Sequence, residues 1–95
     1  MKWVGRAPVI YNKTMTLADT EYSQDIGGGN VKVLLQCRGT YDVKVGFAVG
    51  QSATNYITIK AGSVYYEDMI DDALRTIYFQ CAQAGQVLEI ISWVR

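Results

Sequence analysis

The side chains able to do chemistry in this chain are few, and their types and spacing exclude most reactions. Histidine is absent, which removes Ser-His-Asp and Cys-His nucleophile activation, imidazole acid/base work and most zinc sites together. The two cysteines, Cys37 and Cys81, cannot complete a zinc site by themselves. Each falls on the apolar phase of an expected strand, where a reduced thiol behaves as a small hydrophobe; a disulfide between them is the less favoured arrangement. Gly27-Gly28-Gly29-Asn30 invites comparison with a phosphate-cradling loop, but no Gly-Lys-Ser/Thr follows and the next segment is a strand, not a helix. A flexible turn is expected there. The densest charge, Glu67, Asp68, Asp71 and Asp72, has carboxylates of the kind that bind calcium, yet the spacing is not that of an EF-hand loop and no glycine stands at the sharp turn. A solvated acidic loop follows from that spacing. With carboxylate pairs confined to a hydrated segment, neither catalysis nor a metal nor a cofactor is expected.

Tyrosine is the remaining functional candidate. Tyr56, Tyr65 and Tyr78 fall on the outward phase of neighbouring expected strands, where exposed rings can stack on sugars, pack in a protein interface, or simply cover the second face of a sheet.

The elements that must position these groups are strands. Seven tyrosines and two tryptophans against one proline suit a pleated sheet, and 95 residues, 49% of them hydrophobic, suffice for one domain with a modest core. Thr76–Cys81 alternates Ile77, Phe79 and Cys81 against Thr76, Tyr78 and Gln80, the period of a half-buried strand. Ala82-Gln83-Ala84-Gly85 permits a tight reversal into Gln86–Val94, so a C-terminal hairpin is expected. The closing strand carries apolar bulk on both faces: Val87, Ile91 and Trp93 with Glu89 on one, Leu88, Ile90 and Val94 with Ser92 on the other. Such a strand is either central, with layers on both sides, or meets another chain.

Upstream, Met1–Asn12 mixes basic and large apolar residues around Pro8, which cannot donate to a ladder, so an extended N-terminal arm or an edge strand is expected. Strands follow over Lys13–Leu17 and Glu21–Ile26. Val31, Val33, Leu35 and Cys37 form an inward face with Leu34 out of pattern, and Val43, Val45, Phe47 and Val49 form another, giving a second hairpin. Gly50–Thr54 is an expected polar loop, Asn55–Lys60 a strand, and Ala61-Gly62-Ser63 a turn into Val64–Glu67. About seven short strands without a convincing helix predict an all-β fold. The architecture is a small antiparallel β-sandwich or flattened barrel, jelly-roll-like, over residues 13–95 behind an arm at 1–12.

Nine basic residues balance nine acidic ones, so there is no electrostatic case for nucleic acid or an anionic membrane. Neutrality also offers little repulsion against self-association. Met1–Arg6 lacks the apolar core of a signal peptide and no apolar run reaches the length of a membrane span, so the expected place is a cytoplasm or a particle assembled in one.

The run Tyr56-Ile57-Thr58-Ile59-Lys60-Ala61-Gly62-Ser63-Val64-Tyr65-Tyr66-Glu67-Asp68, then Thr76-Ile77-Tyr78-Phe79-Gln80-Cys81 and Ala84-Gly85-Gln86-Val87-Leu88-Glu89-Ile90, resembles small virion structural proteins of tailed bacteriophages. The resemblance covers roughly residues 17–93. It implies a β-sandwich that decorates the outside of a capsid as a cement subunit, with the major capsid protein or other virion proteins as partners, location in the virion, and a homo-oligomeric state, trimer or dimer. The contact residues expected on that reading are Trp3, Val4, Val9, Ile10 and Tyr11 of the arm, Tyr65, and Leu88, Ile90 and Trp93 of the closing strand. The alternatives are a carbohydrate- or receptor-binding module of a head fibre or tail, and a tail or head-completion adaptor.

Overall fold

The computed structural model describes residues 8–68 and 76–94. Among the described residues eight strands and one helical turn follow each other: β1 (Val9–Met15), β2 (Tyr22–Asp25), β3 (Asn30–Cys37), β4 (Val43–Gly46), α1 (Gln51–Thr54), β5 (Ile57–Ile59), β6 (Val64–Asp68), β7 (Thr76–Cys81) and β8 (Gln86–Val94). They form two four-stranded antiparallel sheets, one ordered β1-β8-β3-β6 and the other β2-β7-β4-β5. This strand order is that of a jelly roll, in which the chain crosses from one sheet to the other at nearly every connection.

The crossing overturns both expected hairpins. β7 and β8 lie in opposite sheets, and so do β3 and β4. The turn signal at residues 82–85 is present, but it turns a corner and does not fold a strand back on its predecessor. Gly85 adopts φ 80° there, a conformation open to glycine at little cost. Its N–H donates to the Met15 carbonyl (2.7 Å), while the Asp19 N–H donates to the Cys81 carbonyl (2.8 Å), tying the β1–β2 and β7–β8 corners together. Among sequential neighbours only β4 and β5 pair directly, with α1 between them.

The alternation read from the sequence sets which side chains fill the sandwich. Met15, Val33, Leu35, Cys37, Leu88 and Ile90 face inward from the first sheet, and Val43, Val45, Ile59, Ile77, Phe79 and Cys81 from the second, all buried. Tyr11, Tyr22 and Tyr65 pack against this core. Burial of this apolar set, worth about 1.5–3 kcal/mol for each large side chain, is what offsets the cost of ordering the chain.

Three expectations about faces change. β4 ends at Gly46, so Phe47 and Val49, expected inward, are 39% and 79% exposed. Past Gly46 the chain runs into the helical turn α1, capped by Gly50 at φ 83°, where a polar loop was expected. The ladder between β3 and β8 also shifts between Asn30 and Lys32. This bulge leaves Val31 half-buried and puts Asn30 in the buried position, its amide donating to the Gly27 carbonyl (2.6 Å). The N-terminal boundary moves as well, since residues 9–12 belong to the edge strand β1, continuous through residue 15.

Candidate functional site

The register of the first sheet assembles an apolar outer surface. Ile10 lies opposite Ile91, Ile91 opposite Leu34, and Leu34 opposite Tyr66. Directly opposed residues share a face, so Ile10, Ile91, Leu34 and Tyr66 make one row across all four strands, on the side away from the core. On one side of this row stand Trp93 and Lys32, also opposed. On the other stand Asn12, Glu89, Gln36 and Val64, and beyond them Thr14 and Val87. Ile10 is 62% exposed, Tyr66 58% and Val64 49%, while Leu34, Ile91, Val87 and Trp93 are half-buried by their neighbours.

Lys32 and Glu89 are each held by partners on or beside this surface. The Lys32 ammonium sits 5.2 Å from the ring centres of both Tyr66 and Trp93, which fixes the two aromatic groups on either side of a cation. The Arg38 guanidinium pairs with the Glu89 carboxylate at 3.0 Å. That ion pair is exposed and contributes little to stability, but it leaves no isolated charge at this end of the face.

Of the contact residues expected from the sequence, Ile10 and Trp93 lie on this outer face. Leu88 and Ile90 do not: both are fully buried core residues and cannot meet a partner. Tyr11 and Tyr65 also point inward and pack against the core. The reason is that period-two alternation defines two faces of a strand without saying which is inside. Val9 lies opposite the buried Ser92 at the end of β1 and is 39% exposed. Trp3 and Val4 fall outside the described residues. Leu34, Tyr66, Ile91, Val64 and Val87 were not among the expected contacts, although Leu34 breaking the pattern of β3 and the second apolar face of β8 were visible signals of them.

The tyrosine cluster suggested by the sequence does not form. Tyr65 faces the core from the first sheet, whereas Tyr78 belongs to the second and Tyr56 precedes its edge strand β5. The second sheet instead has a groove of about 530 Å³ lined by Thr40, Tyr41, Asp42, Lys44, Thr58 and Lys60, with Ala82. Within it, Asp42 accepts from the Ala61 N–H (2.8 Å) and pairs with Lys60 (3.5 Å). The Ala61 N–H foremost holds its carboxyl below the ordinary range; desolvation opposes this, and the Lys60 charge and hydrogen bond add to the lowering. Lys44 lies 5.0 Å from the centre of the Tyr56 ring.

On the other flank of the second sheet, the Glu21 carboxylate receives the Gly50 N–H (3.0 Å), the Ser52 N–H (3.3 Å) and the Ser52 hydroxyl. The Gln80 amide donates to Ser52 Oγ (3.1 Å). Burial raises the Glu21 pKa, and the hydrogen bonds from Ser52 and Gly50 outweigh it, so the net direction is down. Ser52 is fully buried, so this network is a latch that holds α1 against the sheet and not a nucleophile. Burial pushes the Cys37 thiol up to about 11, with a further rise from nearby Cys81 against a backbone hydrogen bond that lowers it. Both cysteines are free and buried. Among the described residues no group of three or more His, Cys, Asp or Glu could hold a metal ion, and no helix is long and apolar enough to cross a membrane. The acidic segment beyond Asp68 lies outside the described residues.

No protein-family model matches the sequence, and no curated protein matches it either. Among solved structures the chain is similar to one described as the solution NMR structure of a de novo designed double-stranded beta-helix. The TM-score is 0.55 at 11% identity, covering 93% of this chain and 99% of that one. At that identity the likeness is one of fold: two antiparallel sheets wound together as the strand order already shows.

Proposed function

We propose that this chain is a non-enzymatic assembly subunit, of the capsid decoration type that its sequence resembles, and that it is held in its assembly through the outer face of the β1-β8-β3-β6 sheet. One observation carries this reading: the transverse row Ile10, Ile91, Leu34 and Tyr66, flanked by Trp93, Val64 and Val87, on a face that no other part of the described chain covers. An isolated apolar residue on a surface is ordinary, but a contiguous row spanning a sheet marks a contact with another protein. The neighbours on this face are aromatic and aliphatic with charges paired or stacked, the composition of an interface centre. The partners on this reading are the major capsid protein or other virion proteins, together with further copies of the chain.

Co-sedimentation with shells that lack the protein tests this. The wild-type chain pellets with the shells at many copies per particle, and Leu34→Lys, which puts a charge in the middle of the row, reduces the bound copies by about tenfold or more. A chain that stays in the supernatant overturns the decoration reading. The groove at Tyr41, Asp42, Lys44 and Lys60 favours a second reading, a carbohydrate-binding module, because an exposed aromatic ring beside a carboxylate and ammonium groups suits a sugar. Glycan-array binding that is lost in Tyr41→Ala would favour it.

A further inference from the structure

We infer that the outer face of the β1-β8-β3-β6 sheet docks on the same face of a second copy, about a two-fold axis running along the strands between β8 and β3. The inference rests on reading this face as an assembly contact, and it names the partner. Its ground is the register. Rotation about that axis exchanges β1 with β6 and β8 with β3, so each residue meets the one that stands across the sheet from it in the same row. Ile10 then meets Tyr66 and Ile91 meets Leu34, apolar on apolar in both halves. In the adjoining row Trp93 meets Lys32, the type of ring and cation contact these residues already make within one chain. On the far side Glu89 meets Gln36. No like charges are opposed among these pairs, and a chain with nine basic and nine acidic residues carries no net charge to drive two copies apart.

The geometry suits sheet-on-sheet packing, in which strand directions stay within about 30° of each other and the layers lie about 10 Å apart. An isologous contact of this kind closes on itself and does not propagate into a fibre. Four strands spaced about 4.8 Å apart, over about six residues of about 3.3 Å each, give a flat footprint of roughly 400 Å² per copy. That is about half the usual area per partner, so the contact is a weak, exchanging one that dissociates on dilution.

The full-length chain tests this without any shell present. Sedimentation velocity over rising concentration gives a monomer–dimer equilibrium, and Leu34→Lys shifts it to monomer by about tenfold or more while its circular dichroism stays that of the wild type. Val49→Lys, on a residue 79% exposed outside this face, leaves the equilibrium unchanged. Two single variants, Ile10→Cys and Tyr66→Cys, fix the axis, since both positions are exposed and the native thiols are buried. Mixed together, they join as a heterodimer under a short bis-maleimide. Each alone does not, because the two copies of one position lie at opposite edges, three strand spacings or about 14 Å apart across the face. A chain that stays monomeric at all concentrations overturns the inference, and so does efficient self-linking of either single variant. If such a monomeric chain still binds shells, the inference fails while the decoration reading stands.

Discussion

The Glu21 carboxylate shows how one residue joins parts of the chain that are far apart in sequence. It stands just before β2 and receives the first N–H groups of α1 together with the Ser52 hydroxyl, acting as a cap supplied from another element. Glu21→Ala leaves those donors without their acceptor and costs about 1–3 kcal/mol in urea denaturation at neutral pH. Because its folded pKa is lowered, the contribution of the Glu21 carboxylate is fully present above the unfolded carboxyl value and is lost as pH falls through the folded one. The wild type therefore loses part of its stability on acidification, and Glu21→Ala loses less over the same interval; equal losses would show that the latch is not coupled to that proton. Cys37, pushed up to about 11 by burial, stays protonated at neutral pH. A thiol reagent at that pH labels Cys37 only after denaturant is added.

At the scale of elements, β8 carries the clearest prediction, because its two faces have different roles. Ile90 is fully buried and Ile91 only half-buried on the outer side. Ile90→Ala costs about 2–5 kcal/mol through a cavity in the core, whereas Ile91→Ala costs the monomer roughly 1 kcal/mol or less. Chemical denaturation at a protein concentration low enough to dissociate the proposed dimer separates them; equal costs would contradict the register. The β4–α1 contact gives a second case. A Cβ at Gly46 would meet the Gln51 Cβ and the backbone at Gln51 and Ser52 (3.0 and 3.1 Å), which cannot move without displacing α1. At Gly39 it would meet only the far end of the flexible Gln86 side chain. Gly46→Ala is thus the more costly substitution, by about 1–3 kcal/mol, and the comparison of midpoints checks it.

For the whole molecule, the organising fact is that one sheet has apolar residues on both faces while the other is covered on part of its outer side by α1. Gln80, outward-facing on β7, is buried and its amide donates to Ser52 Oγ of that turn. No comparable cover lies over Leu34 and Ile91 among the described residues. On the proposed reading a third layer supplied by another chain completes the arrangement, which makes shell co-sedimentation and sedimentation of the chain alone the decisive measurements at this scale. Loss of both associations in Leu34→Lys, with wild-type circular dichroism, is the expected outcome.

Strand positions, the all-β class and most of the core were legible in the sequence, because alternation such as Val33, Leu35 and Cys37 against Lys32 and Gln36 is a local property of a pleated backbone. The absence of histidine likewise bounded the chemistry before any fold was known. Tertiary structure alone decided the rest. The turn at residues 82–85 looks the same whether the next strand returns in the same sheet or crosses to the other, and only long-range pairing of β8 with β1 and β3 settles that. The faces of β8 are equally ambiguous locally, since both are apolar; the packing of Leu88 and Ile90 against the opposite sheet, and not any feature of the strand itself, makes Val87, Ile91 and Trp93 the outer surface.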